Sequence, residues 1–408
     1  MVYNIKLSIL AVMAMGLIIG CRNRGENRDN NLDHITLNHS EAKPLDNLFT
    51  LFSSLRILYL STDSIIVYDP DQIAFYEGKI FTLESGTKNR LSIFDANGDL
   101  LHSINGQTDS PEGYKYSHCF DIDRKNKYIE ILNYHMRRLD RFDFAGRKLH
   151  SMSIDGEYLR FVKFSNEEYV FYAENNTFVS NVHNNFYYYD DALHLIKACM
   201  PINPLIANCS SIKNETYFNS YKEDNYLYRD LHSDTIFNLD PLGLSPVYKV
   251  DWHEGGPDEI PRDVLDRAAE SPENYLQLIM NNTDYALPLY SLLDLKEYLL
   301  LTTYYKSNYY WHLYDKRLQK SKSYKIVKTD INGLFQIFPR YLSDGAGVGH
   351  RDGDMCYYFK EGILANNYLD DQKLLPEVAT ELKKFVGGLK ETTGLTLFYF
   401  ELKEDLVN

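Results

Sequence analysis

A short phrase recurs along the chain and restricts the fold more than any other feature. It reads LSIFDANGDLLHSI at Leu91–Ile104, LDRFDFAGRKLHSMSI at Leu139–Ile154, FYYYDDALHLIKACMPI at Phe186–Ile202, DTIFNLDPLGLSPVYKV at Asp234–Val250 and WHLYDKRLQKSKSYKIV at Trp311–Val327. In each copy an aromatic or β-branched run meets an acidic residue, a tight polar turn follows, and a second run begins. That pattern describes a β-hairpin written five times. The acidic anchors Asp95, Asp143, Asp190, Asp240 and Asp315 are spaced 48, 47, 50 and 75 residues apart. A four-stranded propeller blade takes about 40–50 residues, so the period points to that architecture.

Laying strands on the repeats predicts an all-β, six-bladed β-propeller of four-stranded antiparallel blades over residues 48–404. The second blade shows the scheme, with His118–Asp123 innermost, then Tyr128–Tyr134, Arg138–Phe144 and Arg147–Ile154 outermost. The last blade has only Phe335–Arg340, Met355–Phe359 and Leu395–Leu402 of its own. Leu55–Leu60, unassigned and suitably alternating, is expected to close it from the N-terminus, which removes an exposed sheet edge. Two helical insertions interrupt the strands, near residues 257–282 and 370–390, the second with Leu382, Phe385, Val386 and Leu389 at helical spacing. With four alternating strands per blade, both connections emerge at one end of the disc. There they either elaborate a binding surface or brace the scaffold.

Leu7–Gly20 is an apolar run of 14 residues after Lys6, ending Leu17-Ile18-Ile19-Gly20-Cys21. It is too short for the roughly 20 residues of a bilayer span and suits a signal-peptide core. Residues 1–20 therefore read as a lipoprotein signal peptide, Cys21 as the lipidated residue, and residues 21–47 as a polar tether. The expected location is the cell envelope, lipid-anchored at the outer membrane. The net charge of −14 argues against nucleic acid, which requires a basic patch. Of the other cysteines, Cys199 and Cys209 flank a strand connection and form either a bridge or two buried thiols.

The hairpins ending FDANG and FDFAG, the phrase DTIFNLDPLGLSPVYKVDW and the closing LTLFYFELK resemble the six-bladed β-propeller lipoproteins of Bacteroidota, relatives of NHL-type propellers. Where that family often carries G-x-GPGEY, this chain has GQTDSPEGYKY at Gly106–Tyr116. The resemblance implies fold and location; most family members have no assigned activity. The acidic cluster that directs surface export in several Gram-negative lineages is replaced here by Arg22-Asn23-Arg24.

Catalytic signatures are missing from the sequence: there is no GxSxG elbow, P-loop, HExxH or helix-opening GxGxxG. Ser343–Met355 reads as a long glycine-rich turn, and Asp344, Asp352 and Asp354 lack the spacing of a calcium loop. No catalytic residue, metal ligand or cofactor is expected. The reading favoured is a binding or scaffold protein engaging a glycan, peptide or envelope protein through its loop-rich end. Its candidate contacts are Tyr114, Tyr116, His118, Tyr134, His135, Arg137, Tyr304, Tyr305 and Tyr309, because aromatic rings with polar tips suit sugar stacking and protein contact. The alternative is a propeller enzyme, a lactonase-like hydrolase or a lyase, with its site at the channel mouth; fold alone does not decide between them.

Overall fold

The recurring acid acts as a turn-former in all five hairpins. Asp95 accepts the backbone N–H groups of Asn97 and Asp99 at 2.8 and 3.0 Å. Asp143 does the same for Ala145 and Arg147 at 3.0 and 2.8 Å. Asp190 takes Ala192 and His194 at 3.0 and 2.8 Å, Asp240 takes Leu242 and Gly243 at 2.8 and 3.0 Å, and Asp315 takes Arg317 and Leu318 at 2.9 and 2.7 Å. One carboxylate thus satisfies two turn amides that no strand partner reaches, which is why an acid stands at this position each time.

The computed structural model describes residues 32–60, 70–85, 88–106, 117–176, 183–204, 219–222, 224–229, 233–256, 259–268, 270–271, 287–327, 355–361, 374–388 and 395–407, with the single positions 67, 114 and 207. The chain enters through β1 (Asp33–Leu37), β2 (Lys43–Leu45) and β3 (Phe52–Leu60). Five sheets follow in chain order. They are β4 (Gln72–Tyr76) to β7 (Leu100–Asn105), β8 (Ser117–Asp123) to β11 (Lys148–Ser153), β12 (Arg160–Lys163) to β15 (Leu195–Pro201), β16 (Asn219–Lys222) to β19 (Gly243–Trp252), and β20 (Leu287–Asp294) to β23 (Lys320–Ile326). Within each, consecutive strands pair antiparallel. A sixth sheet joins β24 (Met355–Glu361), β25 (Leu395–Leu402) and β3.

The chain is an all-β propeller of antiparallel four-stranded blades with few helices. The expectation of six four-stranded blades is corrected to five complete blades among the described residues. The sixth sheet has three strands among the described residues, and the inner strand expected at Phe335–Arg340 lies outside them. β3 supplies the outer strand of that sheet, pairing antiparallel with β25 from Leu395↔Leu60 to Leu402↔Phe52.

The N-terminal segment holds the largest departure from the sequence reading. Residues 33–45, expected within the tether, form β1 and β2, which add in parallel to the outer strands β19 and β23. Ile35 and Leu37 are fully buried, packed with Leu292, Leu299 and Leu301 of the fifth blade. A belt of three strands therefore runs along the outer edges of the fourth, fifth and sixth sheets. Among the described residues, the outer strands β7, β11 and β15 of the first three blades carry no such fifth strand.

Adjacent sheets are locked at both rims. On the inside, the Gln72 amide imitates a strand partner, donating to the carbonyl of Phe120 at 2.8 Å and accepting its N–H at 2.9 Å. Asp121 accepts the Lys163 N–H at 2.8 Å across the next joint. On the outside, the Asp turn of one blade lies against the outer strand of its predecessor. Gly98 shows how close this approach is: its φ is +90°, and a Cβ there would stand 2.0 Å from the Tyr59 carbonyl oxygen. Gly98→Ala is expected to lower the unfolding free energy by about 2–3 kcal/mol, measured by chemical denaturation, because it adds left-handed strain to a backbone clash. A change within experimental error would show that the turn moves freely off β3.

Of the insertions, α1 (Arg262–Ala268) is a short surface helix. The second, α2 (Pro376–Gly388), buries Val378 and Leu382 in the core that holds Phe52, Leu55, Leu300 and Trp311. That helix braces the joint between the fifth and sixth sheets. Phe385, Val386 and Leu389 lie outside the residues whose side chains are described.

Candidate ligand-binding face

Alternating strands give the disc two ends. One carries the Asp turns; the other, here the joining end, carries the turns between second and third strands and the blade-joining segments. At the joining end of the fifth blade, β21 (Tyr298–Tyr305) and β22 (Asn308–Asp315) meet in a two-residue turn, Lys306 at φ +46° and Ser307 at φ +60°. Two left-handed residues give a turn whose twist matches that of the strands. It places Tyr304 opposite Tyr309, their half-buried rings 4.7 Å apart between centroids. At the same end of the second blade, Tyr134 and His135 form another ring pair at 4.6 Å. Arg137 closes that turn, its N–H bonded to the Tyr134 carbonyl at 3.1 Å. The Arg137 side chain donates twice to one Glu157 oxygen, at 3.0 and 2.7 Å. Partial burial, then the Glu157 charge, pushes the Tyr134 phenol up.

Beneath the Tyr304–Tyr309 pair runs a buried polar chain. Ser323 Oγ meets His312 Nδ1 at 2.7 Å, His312 Nε2 meets Thr303 Oγ1 at 2.9 Å, and Thr303 Oγ1 meets His39 Nε2 at 2.9 Å. His39 comes from the loop between β1 and β2, so this chain fastens the N-terminal belt to the fifth blade. Its imidazole lies among Tyr305 at 4.6 Å, Tyr310 at 4.8 Å and Trp252 at 6.3 Å. Burial lowers the His39 pKa to about 4 and holds His312 well below the usual range. A Ser–His contact suggests nucleophilic chemistry on paper. Here His312 and Thr303 are fully buried and Ser323 nearly so, and the arrangement works as a structural fastening.

The family of this propeller follows from its sequence as a whole. The family described as Domain of unknown function (DUF4934) matches residues 33–385. The chain belongs to the DUF4934 family. That match begins at the first residue of β1, in keeping with a folded domain that includes the belt. Among solved structures, the DUF4934 chain is similar to a protein of Bacteroides fragilis NCTC 9343 named for its inferred export. The TM-score is 0.66 at 14% identity, covering 92% of this chain and 100% of that one. It is also similar to a member of the DUF4221 family from Bacteroides vulgatus ATCC 8482, with TM-score 0.51 at 11% identity over 86% and 97%. These likenesses are of fold. No curated protein matches the chain by sequence.

The DUF4934 propeller brings some of the expected contact residues together and withdraws others. Tyr304 and Tyr309 stand as a pair, and Tyr134, His135 and Arg137 share one turn. The first pair belongs to the fifth blade and the second group to the second blade. Tyr305 is 5% exposed, its ring against His39 and its hydroxyl directed at Glu254 at 3.4 Å, so it is a core side chain. Tyr114 is also corrected: it is 0% exposed, packs with Leu91, Phe120 and Phe142 between the first two blades, and donates to the Ile104 carbonyl at 3.2 Å. Residues with a flat face and a polar tip suit a buried joint as well as a rim, and single-sequence reading does not separate the two. Tyr116, Cys21, Cys209 and the glycine-rich 343–354 stretch lie outside the described residues; of His118 only the backbone, in β8, is described.

A second polar assembly, absent from the sequence reading, lies between the second and third blades. Lys163, with 4% of its side chain exposed, bonds Asp123, Glu167 at 2.6 Å and the Tyr128 hydroxyl at 3.3 Å. Its ammonium stands 5.4 and 5.3 Å from the Tyr128 and Tyr169 ring centroids. Alongside, Glu130 accepts from Arg141 Nε at 2.7 Å and from the Tyr169 hydroxyl at 2.6 Å. Burial opposes the charge on Asp123, but the Lys163 ammonium wins and holds its carboxyl at about 2. Burial pushes the Glu130 carboxyl up, against the pull of Lys163.

Proposed function

We propose that this DUF4934 protein is a non-catalytic binding or scaffold protein of the cell envelope, lipid-anchored through Cys21 at the outer membrane. It engages a glycan, peptide or envelope protein through the joining end of the propeller. One observation carries the reading: Tyr304 and Tyr309 are held as a half-buried ring pair by strand register and a rigid two-residue turn. The ion pair of Glu254 with Lys306, 3.8 Å apart, stands beside them. Pre-positioned aromatic faces with adjoining charged groups are the usual composition of a recognition surface. The Bacteroides fragilis relative, named for inferred export, supports the location.

The test pairs binding with stability. Tyr309→Ala and Tyr134→Ala are expected to weaken capture in a glycan-array and envelope pull-down screen by at least about tenfold, the effect of losing an aromatic contact of about 1.4 kcal/mol or more. Their melting temperatures should stay within a few degrees of wild type. Tyr305→Ala serves as the contrast: it empties a core position against His39 and is expected to cost about 3 kcal/mol of stability. Unchanged capture by both rim variants would remove the joining end from consideration. Anchoring is read separately, since Cys21→Ser should abolish partition into detergent.

A further inference from the structure

We infer that the Asp-turn end of the first four blades rests on the lipid surface that holds the anchor, so that the joining end faces away from the membrane. This rests on the lipid-anchored reading above. Seven large apolar side chains are exposed among the described residues, and five stand at the Asp-turn end of four successive blades: Leu101 at 42%, Leu149 at 55%, Leu195 at 51%, Ile196 at 46% and Leu242 at 75%. Leu101, Leu149, Leu195 and Ile196 are each the first or second residue of their outer strand, β7, β11 or β15, immediately after the Asp turn. Leu242 lies within the Asp turn of the fourth blade. One contact brings two of these sites together: Lys197 donates to the Leu242 carbonyl at 2.8 Å, drawing that turn to β15, where Leu195 and Ile196 stand. Exposed leucines gathered on one rim of an otherwise polar disc need a cover.

The path of the chain says what that cover is. β1 runs parallel to β19, so its upstream residues lead toward the Asp-turn end, and Asp33 is held there by Gln319 of the fifth blade's turn at 2.9 Å. Asp33 stands twelve positions after Cys21. A chain of that length reaches at most about 40 Å. An acyl chain at Cys21 therefore keeps the Asp-turn end of the fourth and fifth blades, with Leu242, Leu195 and Ile196, within about 40 Å of the bilayer. Leucine side chains that reach it lie in the interfacial region, where apolar burial adds to the anchor. The contact is apolar, so it tolerates the chain's net charge of −14 and should persist at raised salt.

The test uses full-length acylated protein in phosphatidylcholine–phosphatidylethanolamine vesicles containing nitroxide-labelled lipid. A fluorophore attached at Leu242→Cys is expected to be quenched and one at Lys306→Cys is not, with the parent protein giving the background from its native cysteines. The triple variant Leu149→Ser, Leu195→Ser, Ile196→Ser, still anchored, should lose most of the quenching at 242. Equal quenching at 242 and 306, or quenching at 242 unaffected by the triple variant or abolished by raised salt, would overturn the inference. Mass spectrometry of the N-terminal peptide separates the two levels: no acyl mass at Cys21 refutes the anchor and this orientation together, whereas an acylated protein quenched equally at both positions refutes the orientation alone.

Discussion

Replacing Lys163 with Met is expected to destabilise the propeller by about 3–5 kcal/mol, because it leaves the buried Asp123 carboxylate without its counter-charge. Lys163 serves Asp123 and Glu167 directly, and its field also lowers the cost of ionised Glu130. The side chain is 4% exposed and Asp123 3%, so water does not replace the ammonium. Met keeps the apolar stem but not the charge, which isolates electrostatics from packing. Chemical denaturation at pH 7 measures the loss. The double variant Lys163→Met, Asp123→Leu should recover a substantial part, since removing both partners of a buried pair costs far less than removing one. A single-variant loss below about 1 kcal/mol, the value of a solvated pair, would mean that the cluster is hydrated.

The second large effect is a dependence on pH. His39 has a folded-state pKa of about 4, against 6.5 for the free side chain, and burial is the cause. A depressed pKa means that the unfolded chain binds the proton first, so stability is complete above pH 6.5 and is lost as pH falls toward 4. The depression of about 2.5 units corresponds to about 3 kcal/mol at 1.36 kcal/mol per unit. His312, also held neutral by burial, adds loss in the same direction. Denaturation curves at pH 7.0, 5.5 and 4.5 should therefore show a steep fall in wild type. His39→Gln, which retains a hydrogen-bonding group for Thr303, should show a shallower one. Parallel pH profiles would refute the assignment. Because His39 fastens the belt, hydrogen exchange in β1 and β2 should accelerate on acidification before that in β8–β11.

Much of this architecture was legible because its determinants are local. An Asp that bonds amides two and three or four residues ahead leaves its mark within a single turn, and five such marks set the repeat. Alternation then located most of the intervening strands. β1 and β2 escaped notice for the opposite reason. Their partners lie more than two hundred residues away, Asp33 with Tyr248 and Lys43 with Tyr324. Parallel addition requires no turn, and in a polar stretch three apolar residues, Ile35, Leu37 and Leu45, look like part of a tether.

The candidate face divides along the same line. Register and turn type put Tyr304 beside Tyr309 and Tyr134 beside His135, all within a few residues of one another, so these pairs follow from the chain itself. Tyr114 and Tyr305 carry the same side chain, yet only the docking of neighbouring blades and the belt makes them core. The His39–Thr303 bond spans 264 positions and the Lys163–Asp123 pair joins two blades 40 residues apart. The sequence by itself determined the hairpin repeat and the propeller it builds. The tertiary structure alone decided which rings are buried, which charges are paired and where the N-terminal belt lies, because those outcomes depend on surfaces that meet only after the disc has formed.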